Sequence, residues 1–139
     1  MSKMKSLNIF CPDNIWPDRF NGSIALGIEE IQKVQTLWLL FRIQNKNVTS
    51  INGLLSDGRQ IPKEIADLKP VILASSTKET WLLISENKEE FYKRVANRAL
   101  HISGNYREFG RISRRLVLLT EQTKLWSQLD KILQLLSDS

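Results

Sequence analysis

The stretch TLWLLFRIQNKNVTSINGLL, residues 36–55, decides the fold class that we predict for this chain. Residues 36–44 are rich in aromatic and branched side chains and predict a buried strand. The three residues Asn45-Lys46-Asn47 predict a turn, because such polar residues interrupt strands, and residues 48–55 predict the returning strand. The stretch therefore predicts a pair of neighbouring antiparallel strands.

Further strands and short helices are predicted on both sides of this pair. Pro62 suits the first position of a helix, so residues 62–68 predict a short crossover helix. Residues 71–75, VILAS, predict a strand, and residues 79–85, ETWLLIS, predict its returning partner. Apolar residues at helical spacing predict a short helix over 24–34, with a strand as the competing interpretation.

The last third of the chain predicts a helix, a hairpin and a second helix. Residues 86–98 are acidic at their start and basic at their end, an order that suits a helix dipole. Residues 100–106 and 111–119 predict a hairpin, and Thr120 would cap an amphipathic helix over 121–137. The predicted fold class is therefore α+β: a single domain with an antiparallel β-sheet, short crossover helices and an amphipathic C-terminal helix.

The first 22 residues predict an irregular arm, since their prolines oppose a helix. The apolar residues of this arm would lie over the core or dock on a partner. Trp126 and Leu135 lie off the apolar stripe of the last helix, which leaves core and interface open for them. The chain has 139 residues, of which 42% are hydrophobic and 25% charged, values typical of one globular domain over residues 1–139.

The inventory of reactive side chains is small. Cys11 is the single cysteine and His101 the single histidine, so the sequence predicts no internal disulfide, no metal and no cofactor. No nucleophile elbow, phosphate-binding loop or dinucleotide fingerprint is present. We therefore expect no enzyme, unless a cleft joins His101 to a carboxylate. The sequence also makes no small-molecule substrate evident.

The location that we expect is the cytoplasm. The longest apolar run, Leu37–Phe41, is about five residues, against the roughly 20 that a membrane-spanning helix needs. The start of the chain lacks the hydrophobic region of a signal peptide. A single cysteine is compatible with a reducing compartment.

Residues 91–126 carry the excess positive charge of the chain, with eight basic and two acidic side chains. Such a segment indicates a polyanion or an acidic partner surface, or a plain solvated face. Arginines can bind phosphates, and aromatic side chains can stack on unpaired bases. The predicted nucleic-acid-binding residues are Arg94, Arg98, Tyr106, Arg107, Phe109, Arg111, Arg114 and Arg115.

Four segments together resemble a known family. They are LWLLFRIQ at 37–44, VTSINGLLSDG at 48–58, KPVILASSTKETWLLI at 69–84 and ALHISGN at 99–105. Their order, with Trp81 and Gly104, is similar to the small accessory subunits of type III-D CRISPR effector complexes over roughly residues 36–119. The resemblance implies a non-catalytic subunit of a ribonucleoprotein that takes part in antiviral defence and cuts RNA through other subunits.

The function predicted from the sequence is therefore a non-enzymatic, RNA-associated accessory subunit, with RNA and protein subunits as its partners. The alternative is a protein–protein adaptor or assembly factor. That adaptor would dock an acidic partner through the basic hairpin and the C-terminal helix.

Overall fold

The computed structural model describes residues 4–16, 20–32, 34–86, 93, 100–104 and 109–137, of which residues 32 and 109–114 are described by their backbone alone. The strands of the sheet are β1 (Lys5–Ser6), β2 (Gly22–Gln32), β3 (Gln35–Gln44), β4 (Asn47–Asp57), β5 (Ile72–Thr77) and β6 (His101–Gly104). The helices within the described ranges are α1 (Lys63–Ala66), α2 (Lys78–Glu86), α3 (Phe109–Gln122) and α4 (Leu125–Ser137).

The six strands form one sheet in the order β1-β4-β3-β2-β5-β6. All neighbours are antiparallel except β2 and β5, which are parallel. A parallel pair needs a crossover connection, and the segment between β4 and β5, which contains α1, supplies the last part of it. The predicted α+β single domain with a mostly antiparallel sheet is confirmed, as are the strands over 36–44, 48–55 and 71–75 and the short helix within 62–68.

The sheet is buried on both faces. The first face carries the larger core, in which the side chains of Ile24, Leu26 and Ile28 on β2 pack with residues of α2, α3 and α4. The second face carries a smaller cluster, covered by Ile65 of α1. The other buried members of this smaller cluster are Ala25, Trp38, Leu40, Leu54 and Leu73.

The helix predicted over 24–34 is wrong, and the competing strand interpretation is right, because this segment is β2. Ile24, Leu26 and Ile28 face the larger core, while Ala25 faces the smaller cluster. A strand that is buried on both faces shows no alternation of apolar and polar residues, so its period of two is hidden.

The strand predicted over 79–85 is also wrong, because this segment forms α2. The hydroxyl of Thr77 accepts a hydrogen bond of 3.2 Å from the backbone N–H of Thr80, which satisfies one free donor at the start of the helix. Trp81 and Ile84 are both buried and lie three residues apart, on one side of the helix. The indole N–H of Trp81 donates to the carbonyl oxygen of Gly27 at 2.9 Å and thereby ties α2 to β2.

The predicted hairpin is half right. Residues 101–104 form β6, but residues 111–119 belong to α3. Leu116, Leu119, Thr120 and Thr123 are all buried, at the spacing of three and four residues that a helix places on one side. β6 ends at Gly104, which has a φ of +130°; a Cβ there would lie 2.2 Å from the carbonyl oxygen of Val71, so only glycine fits.

The amphipathic C-terminal helix is confirmed, but its start differs from the prediction. Thr120 lies inside α3, where its hydroxyl donates to the carbonyl oxygen of Val117 at 2.7 Å. Lys124 has a φ of +52° and separates α3 from α4. Leu125, Leu129 and Ile132 form the buried stripe of α4.

The N-terminal arm packs on the rest of the molecule. β1 pairs with Asn52 and Gly53 of β4, and the N–H of Trp16 donates to the carbonyl oxygen of Lys46 at 3.0 Å. Ile15 and Trp16 are buried. Trp126 is half-buried and packs against the larger core, whereas Leu135 is 40% exposed.

Apart from Lys93, which is helical, the helix predicted over 86–98 lies outside the described residues from 87 onward. None of the helices in the described ranges combines the length and the apolar character that a transmembrane helix requires.

The substitution Gly27→Ala tests the close packing on the second face. The added Cβ would lie 2.8 Å from Cβ of Ser75 and 2.8 Å from Cζ3 of Trp38, both held in the sheet. We expect a loss of about 1–3 kcal/mol in the free energy of unfolding, the usual cost of overpacking, measured by urea denaturation. Gly53→Ala is the control, since its Cβ would meet mainly the flexible end of Leu7, at 2.7 Å. Equal losses in the two variants would contradict this account.

Candidate functional site

Most of the predicted nucleic-acid-binding side chains are not described. Arg94, Arg98, Tyr106 and Arg107 lie outside the described residues. The other predicted contacts lie on α3, where only the backbone is described for Phe109, Arg111 and Arg114. Of the set, the structure describes the side chain of Arg115 alone.

Arg115 contacts the N-terminal arm. Its guanidinium carbon lies 5.6 Å from the centroid of a Trp16 ring, a cation–π distance. Burial lowers the pKa of Arg115 from its ordinary value, because partial loss of water disfavours the charged form. Trp16 in turn contacts Phe20, with ring centroids 5.4 Å apart. Arg115 therefore helps to fasten the arm to α3.

A half-open cleft of about 320 Å³ lies on the second face of the sheet, near its β6 edge. We call it the Glu29 cleft. It is lined by residues of β2, the β4–β5 crossover, β5 and β6: Glu29, Arg59, Ile61, Leu73, Ser75, His101, Ile102 and Ser103. Most of its exposed lining is apolar, and one buried carboxylate lies in its wall.

A β-bulge places Glu29 at this wall. The register between β2 and β3 shifts after Ile28, and Glu30 has a φ of +57°, in the left-handed region. Glu29 still pairs with Thr77 of β5 and is 4% exposed, whereas Glu30 is exposed. The bulge thus directs two successive carboxylates into different environments.

Arg59 bridges the two carboxylates. Its Nε lies 3.3 Å from Oε1 of Glu29, and its Nη2 lies 3.1 Å from Oε1 of Glu30. Oε2 of Glu29 is buried, and in the described part of the chain it has no hydrogen-bond partner. A buried carboxylate with a free oxygen is costly, because the lost water contacts are only partly replaced.

The turn after β4 sets the position of Arg59. Gly58 has a φ of +75°, which glycine adopts without strain. Its N–H donates to the carbonyl oxygen of Val34 at 2.8 Å, and its carbonyl accepts from the buried hydroxyl of Thr36 at 2.6 Å. Because both hydrogen bonds hold the backbone of Gly58, they also fix the position from which the side chain of Arg59 extends.

The opposite wall of the cleft is polar and belongs to the sheet edge. His101 of β6 pairs with Ser75 of β5, and Ser103 pairs with Leu73. His101 and Ser103 are exposed, whereas Ser75 is 5% exposed. The cleft therefore offers hydroxyl and imidazole groups on one side and a buried carboxylate on the other.

A second cleft, of about 670 Å³, lies toward the other end of the same face. Its charged lining residues, Arg42 and Lys69, are both exposed, and its lining is a mixture of polar and apolar groups. It contains no buried charged group among its described lining residues. Across the described ranges, no three His, Cys, Asp or Glu side chains come together in a way that could bind a metal ion.

Sequence reasoning missed Glu29 and Arg59 as site residues. Glu29 lay inside the predicted helix over 24–34, where an acidic side chain looks like part of a solvated face. The strand interpretation contained the signal, since it places Glu29 on the same side of the sheet as Ala25 and Gly27. His101 was considered, and the cleft brings it to the same site as a carboxylate.

Comparison with known proteins gives two similar solved structures. One is sterol carrier protein 2 from Yarrowia lipolytica in its apo form, with 14% identity, a TM-score of 0.46, and coverage of 74% of this chain and 70% of that chain. The other is a conserved hypothetical protein from Thermus thermophilus, described as a possible sterol carrier protein, with 12% identity, a TM-score of 0.49, and coverage of 75% and 71%. No protein-family model and no curated protein matches the sequence.

The predicted RNA-associated subunit, possible antiviral role included, is wrong. One of the similar solved structures is named as a sterol carrier protein and the other as a possible one, and neither is named as an RNA-binding or CRISPR protein. The basic hairpin, on which the adaptor alternative also depended, does not form, because its second strand is α3. The predicted partners, which were RNA and protein subunits and included no small molecule, are wrong for the same reason. The resemblance to type III-D subunits stays a prediction.

The substitution Arg115→Ala tests the role of this residue in fastening the arm. We expect the free energy of unfolding to fall by about 0.5–1 kcal/mol, because the contact with Trp16 is lost. Lys131→Ala, at an exposed position of α4, is the control and should change the stability by less than about 0.5 kcal/mol. Urea denaturation followed by circular dichroism measures both. An Arg115→Ala variant as stable as the control would contradict the assigned contact.

Proposed function

We propose that this protein binds a small, largely apolar molecule in the Glu29 cleft. The observation that carries the proposal is a half-open cavity of about 320 Å³ with a buried, incompletely paired carboxylate in its wall. Small-molecule sites are commonly cavities of about 300–1,000 Å³ with an apolar lining and a few placed polar groups. The cleft has this size and this composition.

The apolar contribution comes from Ile61 and Leu73. Ile61 is 43% exposed at the cleft, although the transfer of a large aliphatic side chain out of water is favourable. Leu73 of β5 belongs to the smaller core cluster and also lines the cleft. A bound molecule would cover Ile61 and so remove apolar surface from water.

The frame of the cleft is rigid, which favours binding. The adjacent hydrogen-bonded strands β2, β5 and β6 carry most of its lining residues, and the crossover segment anchored through Gly58 supplies the rest. A site on regular structure loses little conformational entropy when a ligand binds. The larger cleft supports the function less, because its charged groups are exposed to water.

A second candidate is an enzyme, and one observation favours it. His101 and Glu29 line the same cleft, from strands on either side of β5. An imidazole and a carboxylate so placed could act as acid and base on opposite sides of a bound molecule. The absence of enzymatic activity stays a prediction. If a compound added to the protein were recovered in chemically altered form, and the His101→Ala variant left it unchanged, the enzyme would be favoured.

The cytoplasm remains the proposed location. Cys11 is a half-buried free thiol, which is compatible with a reducing compartment. Burial, assisted by the nearby charge of Asp13, raises the pKa of Cys11 and keeps it in the thiol form.

Titration with the neutral dye Nile red, whose fluorescence rises in apolar surroundings, tests the proposed binding. We expect saturable one-to-one binding. Ile61→Glu should weaken it about tenfold or more, since the new carboxylate places a charge where the dye removes water. Leu135→Glu is the matched control, because Leu135 is 40% exposed on α4 and Ile61 is 43% exposed at the cleft.

The control variant should bind the dye as the unchanged protein does. Binding without saturation would overturn the proposed function. An equal loss of affinity in Ile61→Glu and Leu135→Glu would do the same.

A further inference from the structure

The unpaired carboxylate oxygen of Glu29 indicates what kind of group the cleft accepts. An ionised carboxylate offers only acceptors, with about four lone-pair positions on its two oxygens. Oε1 of Glu29 faces Arg59 at 3.3 Å, whereas the buried Oε2 has no donor among the described residues. Glu29 is 4% exposed, so bulk water does not replace the missing donor. A group that donates a hydrogen bond would match Oε2.

The charge balance around this oxygen favours a cation. Arg59 is shared between Glu29 and Glu30, so one positive charge faces two negative charges. The side chain of Arg59 is also 65% exposed, and water weakens its attraction for Glu29. Arg59 is the only lysine or arginine among the residues that line the described cleft. A second cation would therefore be attracted, and an anion would be repelled.

The remaining polar groups suit an ammonium group. The hydroxyls of Ser75 and Ser103 can accept hydrogen bonds. An ammonium has several N–H donors and no acceptor, so it can use these acceptors together with Oε2. A carboxylate or phosphate headgroup would place acceptors against acceptors.

We propose, on the basis of the binding function above, that the ligand of the Glu29 cleft is an amphipathic amine. Its ammonium group pairs with the carboxylate of Glu29, whose Oε2 turns toward the cleft when the amine enters, and its apolar body covers Ile61 and Leu73. Arg59 stays on Oε1 and leaves Oε2 to the ligand. The site thereby discriminates a cationic headgroup from a neutral or anionic headgroup on the same apolar body.

The test is the displacement of Nile red by octylamine, 1-octanol and octanoate at pH 7, three compounds with the same chain. We expect octylamine to displace the dye at a concentration at least about tenfold lower than octanoate, with octanol between them. In Glu29→Gln the advantage of octylamine over octanol should disappear, since the amide keeps the shape of the side chain and loses its charge.

Glu30→Gln is the matched control. It removes a carboxylate that contacts the same arginine but is exposed, and it leaves Oε2 of Glu29 in place. We expect octylamine to displace the dye from this variant within about twofold of its effect on the unchanged protein. Circular dichroism confirms that both variants are folded.

The outcomes separate this inference from the proposed function. Equal displacement by the three compounds, or an amine preference that persists in Glu29→Gln, overturns the amine assignment while dye binding upholds the cleft. A preference lost equally in Glu30→Gln also overturns it, because Oε2 of Glu29 would then not be the acceptor. Absence of saturable dye binding overturns the proposed function itself.

Discussion

Two tryptophans, Trp38 and Trp81, contact one glycine of β2 from the two faces of the sheet, and the packing on both faces relies on this position. Gly27 pairs with Trp38 of β3 and with Ser75 of β5, and no room for a Cβ exists between them. Its carbonyl oxygen accepts the indole N–H of Trp81 from α2. The larger core and the smaller cluster are thus joined through one backbone position, and Glu29 lies two residues further along the same strand.

The elements that could be predicted from the sequence are those in which local residue preference and burial in the fold favour the same structure. Strands bounded by turn residues, such as 36–44 and 71–75, were predicted because local chemistry and tertiary burial agree there. Residues 24–34 were not, because burial on both faces of β2 hides its period of two. Residues 79–85 and 111–119 mix leucines, which favour helices, with isoleucine, valine and tryptophan, which favour strands, so local preference did not decide between the two structures.

The candidate site was less accessible to sequence reasoning than the fold. Its lining comes from β2, the crossover, β5 and β6, which only the sheet order brings together. No local motif joins Glu29 to Arg59, and the bulge that separates Glu29 from Glu30 is a tertiary feature. The charge excess of residues 91–126 was the stronger sequence signal. Net charge, however, gives no geometry, and Arg115 contacts the arm of its own chain.

The two-residue strand β1 has a consequence for association between molecules. Without the arm, β4 would be the outer strand of the sheet, with eleven residues. A long outer strand offers unpaired backbone groups to other chains and can start intermolecular sheet growth. The arm occupies the middle of this strand through Lys5, Ser6 and the N–H of Leu7, which donates to the carbonyl oxygen of Ile51 at 2.8 Å. By pairing the middle of β4, this short strand reduces the backbone to which another chain could add, and we expect it to lower the tendency to aggregate.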